Sequence, residues 1–176
     1  GIMKKILLVD DSALMRRVLS DIINSDKRFH IEKEAKNGLE ALEILRTETF
    51  DGVVLDVNMP KMDGIELLRA LASEGISARI LMASTLTMDG AKVTLDALEL
   101  GALDFIHKPE WSYKCKENNF DKELLDTLYA VCNAKLKSVS AVKPVTKRTI
   151  EIQTGVEQLV RKKAASITGN RLVAIA

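Results

Sequence analysis

The chain has 176 residues, with 26 Lys and Arg against 25 Asp and Glu, so its formal net charge is +1. An apolar fraction of 47% excludes a disordered chain, and the near-neutral charge argues against a strongly basic nucleic-acid-binding protein. No apolar run approaches the ~20 residues that a membrane-spanning helix needs. Cys115 and Cys132 are too few for a disulfide framework, so we expect free thiols and a cytoplasmic location.

Short apolar segments alternate with segments of helical periodicity over the first 137 residues. The predicted strands are 6–9, 31–35, 53–55, 79–83 and 103–106. The predicted helices, where apolar residues recur three and four positions apart, are 14–23, 39–45, 65–72, 91–100 and 122–136. Ser12 is expected to cap the first helix and Gly101 to end the fourth. This alternation predicts an α/β fold with a doubly wound five-stranded parallel sheet, whose expected strand order is 2-1-3-4-5.

The last 39 residues differ in composition from the rest. Residues 138–176 contain seven basic and two acidic residues and no aromatic ones, so this tail carries +5 and residues 1–137 carry −4. Residues 138–170, rich in Ser, Thr and Lys and containing Pro144, are predicted to be a linker. The final run, 171–176, is predicted to be the first strand of a truncated second domain. The predicted compact domain therefore covers residues 4–137.

Polar residues follow the predicted strands where each strand ends. Asp10 and Asp11 follow the first strand, Asp56 the third, Ser84 the fourth and Lys108 the fifth. The carboxyl ends of parallel strands share one edge of a sheet, beside the point where strand order reverses, so we expect these side chains to lie together. Carboxylates brought this close repel one another, and Mg²⁺ is the oxygen-ligated cation that suits an open site of this kind. A carboxylate can also attack phosphorus, with a lysine and Mg²⁺ neutralising the developing charge.

Taken singly, each of these residues has an ordinary structural interpretation. Asp11 and Ser12 could only cap a helix, Asp56 could be a loop acid, and Lys108 could be a surface lysine. Their occurrence together at successive strand ends favours a common site that accepts a phosphoryl group.

The motifs then match a known family. Residues 6–12 (ILLVDDS), residues 56–60 (DVNMP) with Asp63-Gly64, Ser84, and residues 105–109 (FIHKP) resemble the receiver domain of two-component response regulators. The resemblance covers residues 4–137 and implies the same strand order that flavodoxin and CheY have. It also implies that a histidine kinase phosphorylates Asp56.

The resemblance assigns roles to the other site residues. It implies a Mg²⁺ ion held by Asp11, Asp56 and the backbone carbonyl of Asn58. Asp10 would complete the acidic pocket, and Lys108 would pair with the phosphoryl group.

The resemblance further implies a conformational switch. Ser84 and Phe105 would be the switch pair, the hydroxyl moving to the phosphate and the ring turning inward. The bond between Lys108 and Pro109 is expected to be cis.

A narrower resemblance concerns the output. Residues 80–86 (ILMASTL) and 90–104 (GAKVTLDALELGALD) resemble the receiver of the chemotaxis protein-glutamate methylesterases (CheB), and residues 171–176 (RLVAIA) resemble the first strand of their esterase domain. This implies an attached esterase that removes methyl groups from chemoreceptor glutamates and deamidates glutamines. The esterase nucleophile, histidine and aspartate are absent from this sequence, so the chain by itself is expected to accept phosphate and not to hydrolyse esters. Thr85 and the loop 110–119 (EWSYKCKENN) depart from the receiver pattern.

Two other functions stay open at this point. A receiver could control a different output, such as a DNA-binding domain, and the basic tail would then lie near nucleic acid. A phosphatase of the haloacid dehalogenase type also uses a nucleophilic aspartate. That class places its two carboxylates two residues apart after the first strand, a spacing that Asp10 and Asp11 lack and that leaves Asp56 unexplained.

Overall fold

The computed structural model describes residues 2–85, 88–109 and 119–136, with backbone only for residues 88–91. Strands and helices alternate throughout. The elements are β1 (Lys4–Val9), α1 (Ala13–Asn24), β2 (Phe29–Ala35), α2 (Gly38–Thr47), β3 (Gly52–Asp56), α3 (Gly64–Ser73), β4 (Ile80–Ser84), α4 (Met88–Glu99), β5 (Asp104–His107) and α5 (Phe120–Asn133).

The five strands form one parallel sheet in the order β2-β1-β3-β4-β5, as the sequence predicted. β3 and β4 are buried along their whole length, and β1 is buried from Ile6 to Val9. Continuous apolar runs form these central strands because helices cover both faces of the sheet. β1 and β3 are adjacent, so the strand order reverses between them.

Alternate strand residues face two separate cores. Leu7, Val53 and Leu55 belong to the core beneath α2, α3 and α4. Ile6 and Val54 belong to the core beneath α1 and α5. Successive side chains of a strand point to opposite faces, which is why neighbouring residues enter different cores.

Side-chain caps begin three helices at the edge of the sheet where the strands end. The Ser12 hydroxyl accepts the Met15 N–H at 3.2 Å, which confirms its predicted role as the cap of α1. Asn37 caps α2 in the same way, and Asp63 forms a capping box with Glu66 at the start of α3.

The predicted end of α5 is wrong by three residues. The helix ends at Asn133, and Ala134 has extended dihedral angles. The carbonyl of Ala134 accepts a hydrogen bond from Nε of Arg79, the residue before β4, at 2.8 Å, so its partner lies outside the helix. The end of α4 follows the prediction, because Gly101 adopts a φ of +111°, which glycine tolerates.

Several predictions concern residues beyond the described ranges. The linker 138–170, the strand 171–176 and all but the last residue of the loop 110–119 lie outside them. Within the described ranges, no helix combines the length and apolar character that a bilayer crossing requires.

Candidate functional site

Three carboxylates meet where β1 and β3 end. Oxygens of Asp10, Asp11 and Asp56 all lie within 4.8 Å of one another. Asp10 and Asp56 are buried, whereas Asp11 is exposed. Val9 pairs with Leu55 in the sheet, so Asp10 and Asp56, each one position further, leave adjacent strands at the same level. The predicted acidic cluster is therefore present.

Lys108 reaches this cluster from the end of β5. Its Nζ donates to Asp56 Oδ1 at 2.8 Å and to Asp10 Oδ2 at 3.0 Å. The lysine is 6% exposed, so both ion pairs are buried. One ammonium thus faces three carboxylates, and the site has an excess of negative charge before any cation binds.

The ionisation of Asp56 reflects its surroundings. Burial raises the pKa of Asp56 to about 6; the hydrogen bond and charge of Lys108 lower it, and the charges of Asp10 and Asp11 raise it further. Burial opposes the charge on Lys108, yet its bond to Asp56 and the attraction of both buried acids leave the pKa of the lysine above its usual value. At neutral pH both partners of the ion pair are therefore charged.

Asn58 lies in the loop between β3 and α3, two residues after Asp56. Two close backbone contacts position this loop. The N–H of Gly64 donates to the Val57 carbonyl at 2.8 Å, and that of Gly38 donates to the Met62 carbonyl at 2.9 Å. A Cβ on Gly64 would lie 2.4 Å from the carbonyl oxygen of Asp56, and one on Gly38 would lie 2.6 Å from that of Met62. The predicted carbonyl ligand is thus carried by a loop fixed on both sides.

The sequence did not predict that Gly38 anchors the Asn58 loop. Asn37 and Gly38 were interpreted only as a turn, and the contact with Met62 joins positions 24 residues apart. The close approach explains why a glycine stands at this helix start.

The two predicted switch residues lie on neighbouring strands at different depths. Ser84 ends β4 and is buried, and its carbonyl accepts the backbone N–H of Lys108 at 2.8 Å. Phe105 lies two positions before His107, the residue that pairs with Ser84, and its half-buried ring packs against the core beneath α4. Ser84 thus adjoins the charged cluster, whereas the Phe105 ring belongs to the core.

The expectation of a cis bond before Pro109 is wrong, because the described residues contain no cis peptide bond. The trans form is the more stable one for most bonds before proline, by about 0.5–1 kcal/mol. Lys108 makes both of its carboxylate contacts with the trans backbone.

The donor set fits Mg²⁺. The cation prefers hard oxygen ligands, a small number of carboxylates and open positions for water or phosphate. Asp11 supplies an exposed carboxylate, and Asp56 has one oxygen beyond the one that Lys108 contacts. Cys132 is a buried free thiol beside Gly52, at the start of β3, so it does not belong to this group of oxygens. Burial raises the pKa of the Cys132 thiol to about 11.

The pattern of residues matches a known family as well. Residues 6–117, more than half of the chain, match the model of the response regulator receiver domain. The chain belongs to the response regulator receiver family. A phosphatase of the haloacid dehalogenase type is therefore excluded as the identity of this domain.

Individual relatives refine this assignment. The chain is 43% identical over 136 residues to protein-glutamate methylesterase/protein-glutamine glutaminase 3 of Rhodospirillum rubrum. The matched region covers 77% of this chain and 36% of the relative. It resembles the response regulator domain of Thermotoga maritima CheB, with a TM-score of 0.67, 37% identity, and coverage of 76% of this chain and 99% of that one. The CheX-CheY-BeF3-Mg²⁺ complex from Borrelia burgdorferi gives a TM-score of 0.62 at 32% identity, covering 74% and 90%. The chain thus spans about a third of the methylesterase that it matches.

Proposed function

We propose that this receiver takes a phosphoryl group from a histidine kinase onto Asp56 and thereby regulates an attached protein-glutamate methylesterase. The observation that carries the first part is the buried contact of Lys108 with Asp56, 2.8 Å long, beside the carboxylates of Asp10 and Asp11. This arrangement supports the proposal, because Asp56 would supply the nucleophilic oxygen, Lys108 a fixed positive charge and Asp11 a ligand for a cation.

The chemistry follows from these groups. A carboxylate oxygen of Asp56 attacks the phosphorus, the P–N bond to the kinase histidine breaks, and its electron pair stays on the imidazole. The products are an aspartyl phosphate and a free histidine. The ammonium of Lys108 offsets the negative charge of the transferred group. The phosphoryl group then replaces part of the contact between Lys108 and the Asp56 carboxylate.

Mg²⁺ would be held by Asp11, Asp56 and the carbonyl of Asn58, with Asp10 completing the acidic pocket. When bound, the ion supplies charge neutralisation at the phosphoryl oxygens. The structure of a related CheY with BeF3 and Mg²⁺ supports this part of the proposal. The pKa of Asp56 near 6 means that the carboxylate is ionised, and so able to attack, at neutral pH.

The response to phosphate would pass through β4 and β5. The Ser84 hydroxyl would turn to a phosphoryl oxygen, and the Phe105 ring would turn further into the core beneath α4. Because the carbonyl of Ser84 already bonds the N–H of Lys108, a shift of one strand end is transmitted to the other.

The proposed output rests on similarity to methylesterases. The receiver would occupy residues 4–137, followed by a linker at 138–170 and the first strand of the esterase domain at 171–176. The whole protein would act on chemoreceptor glutamates and glutamines and would receive phosphate from a chemotaxis kinase. A cytoplasmic location follows from this proposal, because the ATP that phosphorylates such kinases is found there.

Phosphorylation is tested with a small phosphoryl donor. The full chain is incubated with phosphoramidate and Mg²⁺, and the modified residue is located by mass spectrometry. We expect one phosphoryl group on Asp56 and none on the Asp56→Asn variant. Asp51→Asn, at the opposite end of β3, is the matched control and should be modified like the wild type. Equal modification of the Asp56→Asn variant would contradict the proposal.

The output is tested in the longer protein. The rate of receptor demethylation is measured for the protein expressed from the gene extended beyond residue 176, with and without the phosphoryl donor. An esterase rate that is the same with and without phosphorylation of Asp56 would contradict the proposed regulation. A DNA-binding domain in place of the esterase would replace the proposed output while leaving the receiver assignment intact.

A further inference from the structure

Asp10 is held at all of its polar groups. Its Oδ2 accepts from Lys108, its Oδ1 accepts the Ser12 N–H at 2.9 Å, and its own N–H donates to the carbonyl of Ala35 at 3.1 Å. The remaining group, the backbone carbonyl, accepts a hydrogen bond from Arg16 Nη1 at 2.7 Å. The carbonyl of Asp10 belongs to the peptide that leads into Asp11.

Arg16 also forms an ion pair with a second element. Its Nε lies 3.7 Å from Glu34 Oε2 on β2, and Glu34 Oε1 accepts from the Ser20 hydroxyl at 2.5 Å. Arg16 and Ser20 are one helical turn apart on α1 and therefore face the same way. The arginine side chain is 19% exposed and that of Glu34 is 43% exposed, so the bond to the buried Asp10 is the contact better shielded from water.

We infer that Arg16 is a positioning residue for the cation site. A peptide unit is planar, so fixing the carbonyl of Asp10 also fixes the N–H and the Cα of Asp11. The carboxylate of Asp11 is exposed, and the fixed Cα sets the point from which its side chain reaches the cation site. A guanidinium can form an ion pair with Glu34 through one nitrogen and donate to Asp10 through another, which a single ammonium cannot do with the same geometry.

The charge of Arg16 and its hydrogen bond to the Asp10 carbonyl predict opposite effects of its removal on Mg²⁺ affinity. Arg16 adds a positive charge next to an acidic cluster, so its charge alone would weaken the binding of a divalent cation. Its removal would then tighten Mg²⁺ binding. If the arginine acts by holding the peptide between Asp10 and Asp11, removal weakens binding instead. The inference rests on the proposed function, because it concerns the same Mg²⁺ site.

The test measures Mg²⁺ affinity by isothermal titration calorimetry of the full chain, first freed of metal. Arg16→Gln is compared with Arg17→Gln, which removes the same charge from an exposed neighbour whose partner is Asp21. We expect Arg17→Gln to bind Mg²⁺ as tightly as the wild type or slightly more tightly. Arg16→Gln should bind about tenfold more weakly, the lower end of the range for residues that orient metal ligands.

A second pair leaves the arginine in place. Glu34→Gln removes the carboxylate that holds Arg16, and Glu32→Gln removes one of the same charge on the same strand. Weaker Mg²⁺ binding is expected for Glu34→Gln than for Glu32→Gln. This pair decides the question if Arg16→Gln does not fold, which thermal denaturation without metal reveals.

The outcomes distinguish a failure of the proposed Mg²⁺ site from a failure of the proposed role of Arg16. A wild type that takes up no Mg²⁺ would overturn the metal site of the proposed function, and the role of Arg16 with it. Wild-type binding with equal affinity in Arg16→Gln and Arg17→Gln would overturn the role of Arg16 alone. If Arg16→Gln does not fold, equal Mg²⁺ affinity of Glu34→Gln and Glu32→Gln would likewise overturn the role of Arg16.

Discussion

The ammonium of Lys108 lies 2.8 Å from the carboxylate of Asp56, and these residues are 52 positions apart in the chain. The same nitrogen bonds Asp10, so one buried cation links the ends of β1, β3 and β5. Removing one partner from a buried ion pair costs more than the pair contributes, because the other charge remains buried without compensation. Stability and the proposed acceptance of a phosphoryl group therefore depend on the same contact.

Lys108→Met should destabilise the receiver strongly at pH 7.5 without divalent cations. The expected loss is about 3 kcal/mol, because Asp10 and Asp56 lose their common cation. Urea denaturation in EDTA measures it, and added Mg²⁺ should restore part of the loss, since it binds the native acids. Lys92→Met, at an exposed position of α4, is the control and should change stability by less than about 0.5 kcal/mol. Wild-type stability of Lys108→Met in EDTA would contradict the structure.

Asp56→Asn should stabilise the metal-free receiver at neutral pH, because Lys108 keeps Asp10 as its buried partner and one of three clustered carboxylates is removed. The pKa of Asp56 is about 6 in the fold against 3.8 for an ordinary aspartate, so between pH 4 and 6 the native state binds more protons than the unfolded state. Stability attributable to this group therefore falls as pH rises through that window. The increase in the free energy of unfolding of Asp56→Asn over that of the wild type should be small near pH 4 and reach its maximum above pH 6.

Urea denaturation at several pH values in EDTA measures this difference. Asp21→Asn, on the exposed side of α1, is the control for the loss of one carboxylate. A difference between Asp56→Asn and the wild type that does not change from pH 4 to pH 7 would show that Asp56 titrates like an exposed aspartate.

Gly64→Ala should cost about 2 kcal/mol, as overpacking of a site without free space does. The new Cβ would lie 2.4 Å from the Asp56 carbonyl oxygen and 3.1 Å from the Val57 Cα, and both neighbours are backbone. Relief requires movement of the loop that carries Asn58, so Mg²⁺ affinity should fall as well. Ser73→Ala, at the exposed end of α3, should change neither quantity. Thermal denaturation and Mg²⁺ titration check the prediction.

Arg28→Met should cost about 1 kcal/mol, since its guanidinium lies 4.7 Å from the ring centroid of Tyr129 and 5.3 Å from that of Phe29. The same group hydrogen-bonds Asp26, which lowers the pKa of that carboxyl. These contacts join the start of β2 to α5. Arg17→Met, which loses only an exposed ion pair, should have almost no effect. Equal stability of the two variants in urea denaturation would show that the ring contacts contribute nothing.

The sequence by itself determined the alternation of strands and helices, which follows from local information: apolar runs, helical spacing and caps such as Ser12. The strand order was expected from the rule for doubly wound parallel sheets and from the resemblance to receiver domains, and the acids after the first and third strands then marked the edge at which they gather. The parallel arrangement then brings Asp10 and Asp56 together, because both leave adjacent strands at one edge.

The tertiary structure alone decided how the site is held. Lys108 meets Asp10 across 98 positions, and Arg16 binds a backbone carbonyl that no residue pattern identifies as an acceptor. The end of α5 was predicted wrongly for the same reason, whereas the cis bond expected before Pro109 came from the family resemblance and is trans in the structure. Such features depend on side-chain reach and sheet register over long separations, whereas periodicity records only which face of its own element a residue occupies.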